Sequence, residues 1–222
     1  MDISICAATQ LELAPIQQKL LDEPHSMHRL QFFTTGVGML QSTFHIQQHL
    51  VEAKPSCIIQ LGIAGSFDKH LSLGSTVIVE KEYLGSLGVM ENSPQHEGWQ
   101  DAFDLGLELP DKFPFTNKAL LNTWLQHWSW LKDLGRPLVS SVTVDEITSS
   151  TQRAQLLQRH YQPVTESMEG GSLHYVSLKY QIPFIQIRGI SNYVSERNKA
   201  HWKIGPALQG ATDTTLAFLN RL

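Results

Sequence analysis

Residues 164–180 have the sequence VTESMEGGSLHYVSLKY, in which an extended apolar run ends at Ser-Met-Glu and turns directly into an amphipathic helix. The turn passes through two glycines and places Glu169 beside the backbone amides that begin the helix. Residues 182–192, IPFIQIRGISN, repeat the pattern, because a β-branched run ends at the polar residue Asn192. In open α/β sheets, small ligands bind at the carboxyl ends of strands. These two strand ends therefore predict a small-molecule site.

The rest of the chain alternates apolar runs with amphipathic stretches. Further strands are predicted at residues 3–8, 29–35, 56–63, 75–84 and 137–144, and helices at residues 9–21, 39–51, 117–134, 152–160 and 203–222. Residues 88–116 are irregular and aromatic, which is more typical of a lid or an interface than of disorder. Strands that alternate with helices predict an α/β fold with a largely parallel sheet covered by helices.

Length and composition narrow the classes of function. A chain of 222 residues without a linker fits a single domain, residues 1–222. The net charge of −4 and the scattered Lys and Arg residues argue against a nucleic-acid partner. The start has no signal-peptide pattern and no stretch is apolar enough to span a membrane, so we expect a soluble, cytoplasmic protein. We expect Cys6 and Cys57 in the core, and no sequence motif for a metal site is present.

Two other strand ends carry candidate site residues. Glu12 follows the first strand, where the alternative is a carboxylate that the helix dipole favours. The central strand ends in LGIAGS, whose Ala64 and Gly65 allow close approach of a ligand, although packing alone could require such small residues. For Glu169 the alternative is a helix cap, and for Asn192 it is a turn at the end of a strand.

The four junctions ATQLE, LGIAGS, ESMEGG and RGISN resemble, in order and spacing, the purine nucleoside phosphorylase and nucleosidase superfamily. The resemblance covers the whole chain and implies a three-layer fold whose mixed, largely parallel sheet is flanked by helices. Residues 83–115 and 188–208 are similar to the family of futalosine hydrolases within it, which serve an alternative menaquinone pathway. That similarity implies hydrolysis of futalosine to hypoxanthine and dehypoxanthine futalosine, without a metal or organic cofactor.

The resemblance also implies roles for individual residues. Glu12 matches the carboxylate that deprotonates the attacking water. Glu169 matches the carboxylate that binds the 2′ and 3′ hydroxyls of ribose, with Met168 against the sugar face. We expect the backbone amides of Ala64 and Gly65 to hold the water, since Ile63 stands where nucleosidases often have Ser.

Asn192 departs from the relatives that release adenine, which have Asp at this position to protonate N7. An amide can instead meet N7 and O6 of a 6-oxopurine, so Asn192 favours hypoxanthine or guanine. We expect the base against residues 141–147, with Val144 as one contact. Arg197 and Lys199 are candidates to bind the benzoate of futalosine, although a solvated charge run is the alternative.

Three other functions remain open from the sequence. The first is hydrolysis of methylthioadenosine or S-adenosylhomocysteine, which Asn192 opposes. The second is phosphorolysis of a purine nucleoside, which the lack of Arg in the Glu12 loop opposes. The third is nucleoside binding without catalysis. In each case we expect a small-molecule nucleoside as ligand. We also expect a homodimer or higher oligomer, in which residues 94–115 could close the neighbouring subunit's pocket.

Overall fold

The computed structural model describes residues 1–22, 28–92, 97–196 and 198–222. The α-helices in these ranges are α1 (Gln10–Asp22), α2 (Met39–Ala53), α3 (Thr151–Tyr161), α4 (Gly170–Tyr180) and α5 (Ile204–Leu219). The strands are β1 (Asp2–Ala7), β2 (Arg29–Thr34), β3 (Cys57–Ser66), β4 (Thr76–Leu84), β5 (Gly88–Asn92), β6 (Glu97–Asp101), β7 (Phe115–Thr116), β8 (Ala119–Leu121), β9 (Leu138–Thr143), β10 (Thr165–Ser167) and β11 (Phe184–Tyr193).

The main sheet is mixed, and part of it closes on itself. β3 pairs with β11, β11 with β4, β4 with β9, β9 with β10, and β10 with the end of β3. β1 and β2 extend this ring beyond β3, and β8 and β7 extend it beyond β4. The pairs β1–β2, β1–β3, β3–β11, β4–β9 and β9–β10 are parallel, whereas β3–β10, β4–β11, β4–β8 and β7–β8 are antiparallel.

Helices cover the sheet on both sides, which confirms the predicted α/β architecture. Apolar side chains of α1 and α5 form one cluster with β1, β3 and β11. A second cluster joins α2 and α4 to the other face. Cys6 and Cys57 are fully buried in these clusters, as predicted. Among the described residues, no helix is long and apolar enough to cross a membrane.

The predicted helix at residues 117–134 is wrong. This segment contains β8 and two short 3-10 helices, Thr123–His127 and Leu131–Leu134. Asn122 redirects the backbone, since its side-chain oxygen accepts from Trp124 N (3.0 Å) and its amide donates to Phe184 O (2.8 Å). The apolar residues of the segment still pack on the core, so tertiary contacts override the helical spacing.

Residues 88–116 are more regular than predicted. β5 and β6 form an antiparallel hairpin, of which residues 93–96 lie outside the described residues. Phe103 and Phe115 pack edge to face with ring centroids 5.0 Å apart, whereas Phe113 is exposed. Part of this aromatic set therefore belongs to the core.

Candidate active site

The carboxyl ends of β1, β3, β10 and β11 surround a cavity of about 300 Å³. Its walls are largely apolar, with carboxylates and an amide in between. The lining residues that matter below are Thr9, Glu12, Ile63, Ala64, Gly65, Ile147, Glu166, Met168, Glu169, Ser191, Asn192 and Trp202. The structure thus brings together the strand ends that the sequence singled out, with the exception of Val144.

Glu12 lies in the first turn of α1 and lines the cavity. Its Oε2 accepts hydrogen bonds from Thr9 N (3.1 Å) and Thr9 Oγ1 (3.0 Å), and its own N–H donates to Thr9 Oγ1 (3.4 Å). This reciprocal arrangement is a capping box, which satisfies amides at the start of a helix. Its Oε1 accepts from Ile63 N (3.1 Å) across the cavity floor. The residue is 8 % exposed, and hydrogen bonds at both oxygens fix the orientation of its carboxylate.

Arg188 of β11 is 1 % exposed and lies near the carboxylates of Glu12 and Glu169. Its Nη2 donates to Gln60 Oε1 (2.9 Å), and its Nη1 lies 3.7 Å from Glu169 Oε2. A Cβ at Gly62 would lie 2.6 Å from Arg188 Nη1 and 2.8 Å from Glu12 Oε1. Because Gly62 has no side chain, the Arg188 guanidinium can lie close to the carboxylates of both Glu12 and Glu169.

Glu169 precedes α4 but does not cap it, because its side chain makes no capping hydrogen bond. Its Oε1 instead accepts from Gly38 N (3.2 Å), at the start of α2. Burial raises the pKa of Glu169, and the Arg188 guanidinium opposes that shift. Two groups from different elements, Gly38 N before α2 and the Arg188 guanidinium of β11, therefore hold the carboxylate at the cavity wall.

Asn192 lies at a bulge near the end of β11, beside Gly65. Its Oδ1 accepts from Ser191 Oγ (2.8 Å), and its Nδ2 donates to Tyr193 O (3.0 Å). An amide group carries two N–H donors and two acceptor lone pairs, so each end keeps capacity for one ligand bond. These local bonds fix the amide at the cavity wall.

Of the other predicted site residues, three line the cavity and one does not. Ala64, Gly65 and Met168 line the cavity. Val144 does not, since its side chain is fully buried in a separate apolar cluster and its N–H donates to Ser167 O (3.0 Å). In the same segment it is Ile147 that lines the cavity.

The predicted cations for the 5′ end of the substrate are not found in the cavity wall. Lys199 lies in the exposed 3-10 helix Lys199–His201 and does not line the cavity. Arg197 lies outside the described residues. Among the described residues that line the cavity, none is Lys or Arg.

The sequence analysis missed two residues of the candidate site. Arg188 was detectable as a charge inside the apolar run FIQIRGI, since a buried charge requires a partner. Glu166, the first residue of the ESMEG motif, also lines the cavity and is 7 % exposed. A carboxylate in a strand of three residues gives no such signal.

One cluster of metal-ligand type lies among the described residues, away from the cavity. Asp101, Asp104 and His160 bring their ligand atoms within 4.8 Å of one another. The Lys118 ammonium lies among these carboxylates, 3.3 Å from Asp101 Oδ2 and in contact with Asp104. A protein cation therefore already balances the cluster.

The cavity combines groups that suit cleavage of an N-ribosidic bond. Such a reaction develops positive charge on the anomeric carbon, which nearby carboxylates stabilise. Glu12 is placed to accept a proton from a water, and Glu169 can accept two hydrogen bonds from a vicinal diol. The apolar walls suit the flat faces of a base.

This fold and carboxylate-lined cavity define a class of nucleoside-handling proteins. The chain belongs to the phosphorylase superfamily, whose family model matches residues 7–222. Nearly the whole chain is therefore accounted for by one family.

Individual relatives include two kinds of nucleosidase. The chain is 25% identical to the futalosine hydrolase of Thermus thermophilus over 177 residues, which cover 80% of this chain and 75% of that protein. It is 24% identical to the 5′-methylthioadenosine/S-adenosylhomocysteine nucleosidase of Desulfotalea psychrophila, over 90% of this chain and 88% of that one. A solved futalosine hydrolase mutant of Helicobacter pylori has a TM-score of 0.83 at 15% identity, with full coverage of both chains. These matches agree with the fold class predicted from the sequence.

Proposed function

We propose that the chain hydrolyses the N-ribosidic bond of a 6-oxopurine nucleoside, and that the nucleoside is futalosine. The observation that carries the proposal is the position of Glu12. Its carboxylate is held at both oxygens, faces the cavity and lies beside the Glu169–Arg188 pair. A general base fixed next to a diol-binding carboxylate suits attack by water on a bound ribose.

The proposed reaction uses residues in the cavity. Glu169 accepts hydrogen bonds from the 2′ and 3′ hydroxyls of ribose. Glu12 takes a proton from the attacking water as the water oxygen bonds to the anomeric carbon. The bond to the base breaks, and its electron pair leaves with the base. Asn192 Nδ2 donates a hydrogen bond to O6 and so stabilises the negative charge that develops on the base, and its Oδ1 accepts from N7–H once N7 has taken up a proton from solvent.

Futalosine is preferred among the candidate substrates for two reasons. Asn192 suits the N7 and O6 edge of hypoxanthine, the base that futalosine carries. Two segments, residues 83–115 and 188–208, are similar to futalosine hydrolases. The absence of Lys and Arg from the described cavity wall leaves the benzoate without an assigned partner.

The second candidate is hydrolysis of methylthioadenosine or S-adenosylhomocysteine. It is supported by the relative at 24% identity, which spans more of the chain than the futalosine hydrolase does. Apolar residues at the cavity mouth, such as Leu11 and Val37, also suit a thioether. Asn192 opposes it, because an amide does not protonate N7 as a carboxylic acid would.

We also propose that the protein forms a homodimer through α2. Leu40, Phe44 and Val51 lie on one side of this helix and are 87%, 62% and 52% exposed. Val37 continues this apolar surface to the cavity mouth and is 50% exposed. Contiguous exposed apolar surface of this kind marks a protein interface. A partner there would lie next to the 5′ end of the substrate.

Base release from futalosine, inosine and methylthioadenosine, each with and without phosphate, tests the proposal. We expect hypoxanthine from futalosine at a rate that does not depend on phosphate. Adenine from methylthioadenosine alone would establish the second candidate instead. A requirement for phosphate would make the protein a phosphorylase, and binding without base release from any nucleoside would make it non-catalytic.

A further inference from the structure

Glu166 shares one row of the sheet with Asn192. On β10, Glu166 pairs with Gly65 of β3, and on the other side of β3, Gly65 pairs with Asn192 of β11. Side chains that lie directly across adjacent strands project from the same face of the sheet. Glu166 and Asn192 thus flank a residue that has no side chain, and all three residues line the cavity.

The spacing of this row fits a flat base. Adjacent strands lie about 4.8 Å apart, so residues two strands apart are separated by about 10 Å between their Cα atoms. A Cβ at Gly65 would lie 3.3 Å from Asn192 Nδ2, so any larger residue would narrow the gap. A base bound over Gly65 therefore has Asn192 at one edge and Glu166 at another.

The Glu166 carboxylate is held in place from the other side. Its Oε1 accepts a hydrogen bond from Thr148 N (3.0 Å), which ties it to the segment that contains Ile147. Ser195 N in turn donates to Thr148 O (3.2 Å), so the segment is joined to the end of β11. A carboxylate accepts about four hydrogen bonds, so Glu166 can accept from a ligand donor in addition to its contacts within the protein.

We propose that Glu166 selects the base, by accepting a hydrogen bond from N1–H of a 6-oxopurine. This inference rests on the proposed function and deepens it. Hypoxanthine carries a hydrogen on N1, whereas adenine has a lone pair there. A carboxylate that faces the lone pair of adenine N1 forms no hydrogen bond with it, and it also loses the water molecules that hydrated it. Glu166 and Asn192 thus recognise different edges of one base, N1 by Glu166 and N7 with O6 by Asn192.

Binding of free bases tests this role separately from turnover. Calorimetry would compare hypoxanthine, 1-methylhypoxanthine and adenine on the wild-type chain, on Glu166→Gln and on Glu146→Gln. Glu146 is an exposed carboxylate two residues from Thr148 that does not line the cavity, so it is the matched control. The methyl group removes the N1 donor and leaves O6 and N7 in place.

We expect the wild-type chain and Glu146→Gln to bind hypoxanthine about tenfold to hundredfold more tightly than the other two bases. Glu166→Gln should narrow the preference over adenine to less than about tenfold, because an amide can donate to N1 as well as accept from it. Equal binding of hypoxanthine and 1-methylhypoxanthine by the wild-type chain would overturn the inference. So would a Glu166→Gln variant that keeps the full preference over adenine.

If Glu166→Gln does not fold, the wild-type comparison still overturns the inference when hypoxanthine and 1-methylhypoxanthine bind equally. A chain that releases hypoxanthine from futalosine but binds 1-methylhypoxanthine as well as hypoxanthine leaves the proposed function standing and removes only the role of Glu166. A chain that neither binds these bases nor cleaves any nucleoside overturns both.

Discussion

The start of α4 separates two polar regions that both contain a buried carboxylate. On the cavity side, Glu169 accepts from Gly38 N and lies 3.7 Å from the Arg188 guanidinium. On the sealed side, Glu82 is fully buried, and its Oε1 accepts from Thr143 Oγ1 (2.8 Å). Thr143 Oγ1 also accepts from Gly171 N (2.7 Å), which links Glu82 to the first turn of the helix.

The two regions differ in what balances the charge. Burial raises the pKa of Glu82 to about 7, because the hydrogen bond from Thr143, the charge of Arg188 and its other polar neighbours oppose burial only in part. Nearby, burial lowers the pKa of His174 to about 4, so its ring is neutral at pH 7. On the cavity side, burial also raises the pKa of Glu169, but the Arg188 guanidinium 3.7 Å away and the Gly38 amide oppose that shift. Burial therefore raises the pKa of both carboxylates, and the two differ in that a cation is the main group opposing burial at Glu169, whereas a hydrogen bond is the main one at Glu82.

The largest expected effect is on the cavity side. Glu12→Gln should lower kcat by about a thousandfold, because an amide cannot accept the proton of the attacking water. The amide oxygen can keep the hydrogen bond from either Thr9 N or Ile63 N and the other is lost, so folding and ligand binding should persist at some cost in stability. Steady-state rates with futalosine and calorimetric binding of hypoxanthine measure the two parts. Full activity in the variant would remove Glu12 from the mechanism.

The next largest effect is expected on the sealed side, in the pH dependence of the free energy of unfolding. The folded-state pKa of Glu82 is raised from 4.5 to about 7. The contribution of protonated Glu82 to the free energy of unfolding is therefore fully present below pH 4.5 and is lost as the pH rises through about 7. Relative to Glu82→Gln, the wild-type free energy of unfolding should therefore fall by about 3 kcal/mol between pH 4.5 and pH 8.

Urea unfolding of both proteins across that pH range measures the difference. Glu80→Gln, a less buried change on the same strand, is the control and should follow the wild-type curve. Parallel curves for the wild-type chain and Glu82→Gln would show that Glu82 is ionised throughout, and the contrast between the two sides would disappear.

A smaller effect returns to the cavity and to base selection. Asn192→Asp should raise the ratio of adenine to hypoxanthine release by about tenfold to hundredfold, since an acid can protonate N7 and an ionised carboxylate repels O6. Competition between futalosine and methylthioadenosine, followed by chromatography of the released bases, gives the ratio. An unchanged preference for hypoxanthine would refute the role of Asn192 in base recognition.

The smallest effect lies in neither region. His160 Nε2 lies 2.8 Å from Asp101 Oδ2, and this contact joins α3 to the end of β6. His160→Gln should cost about 1 kcal/mol of stability and leave kcat unchanged, because the residue does not line the cavity. Thermal unfolding and steady-state rates test this. A lowered kcat would show that the hairpin affects the site.

The same cluster has an acid dependence of its own. Burial raises the pKa of Asp101, but hydrogen bonds from His160 and its other neighbours outweigh burial, so the pKa is below its ordinary value of 3.8. The ionised Asp101 carboxylate therefore stabilises the fold above pH 3.8. This stabilisation is lost as the pH falls through the lower pKa of the folded state. The stability difference between wild type and His160→Gln should therefore shrink in acid.

Much of the fold followed from patterns that the sequence displays locally. The alternation of strands and helices gave the layers, and the polar residues at strand ends gave Glu12, Glu169 and Asn192, which line one cavity. The helical spacing at residues 117–134 gave a wrong prediction. The Asn122 side chain bonds to Phe184 O and the tryptophans pack on the core, and these partners are distant in the sequence. Local periodicity does not contain such contacts.

The missed site residues have a similar explanation. Arg188 acquires its role from Gln60, Gly62 and Glu169, which are far apart in the chain. Glu166 acquires its proposed role from the register of three strands, which hydrophobic pattern alone does not fix. Register depends on which strands are neighbours, and the closed ring was not predicted.

The closed ring of strands limits how far the residues that line the cavity can move relative to one another. Glu166, Gly65 and Asn192 belong to three strands that are hydrogen-bonded in series, so none can shift along its axis without breaking the register of its neighbours. Distinguishing two bases that differ at one edge requires placement within about 0.5 Å. A sheet that closes on itself supplies a rigid frame of that accuracy, and mobile loops would then be needed only for the 5′ end of the substrate.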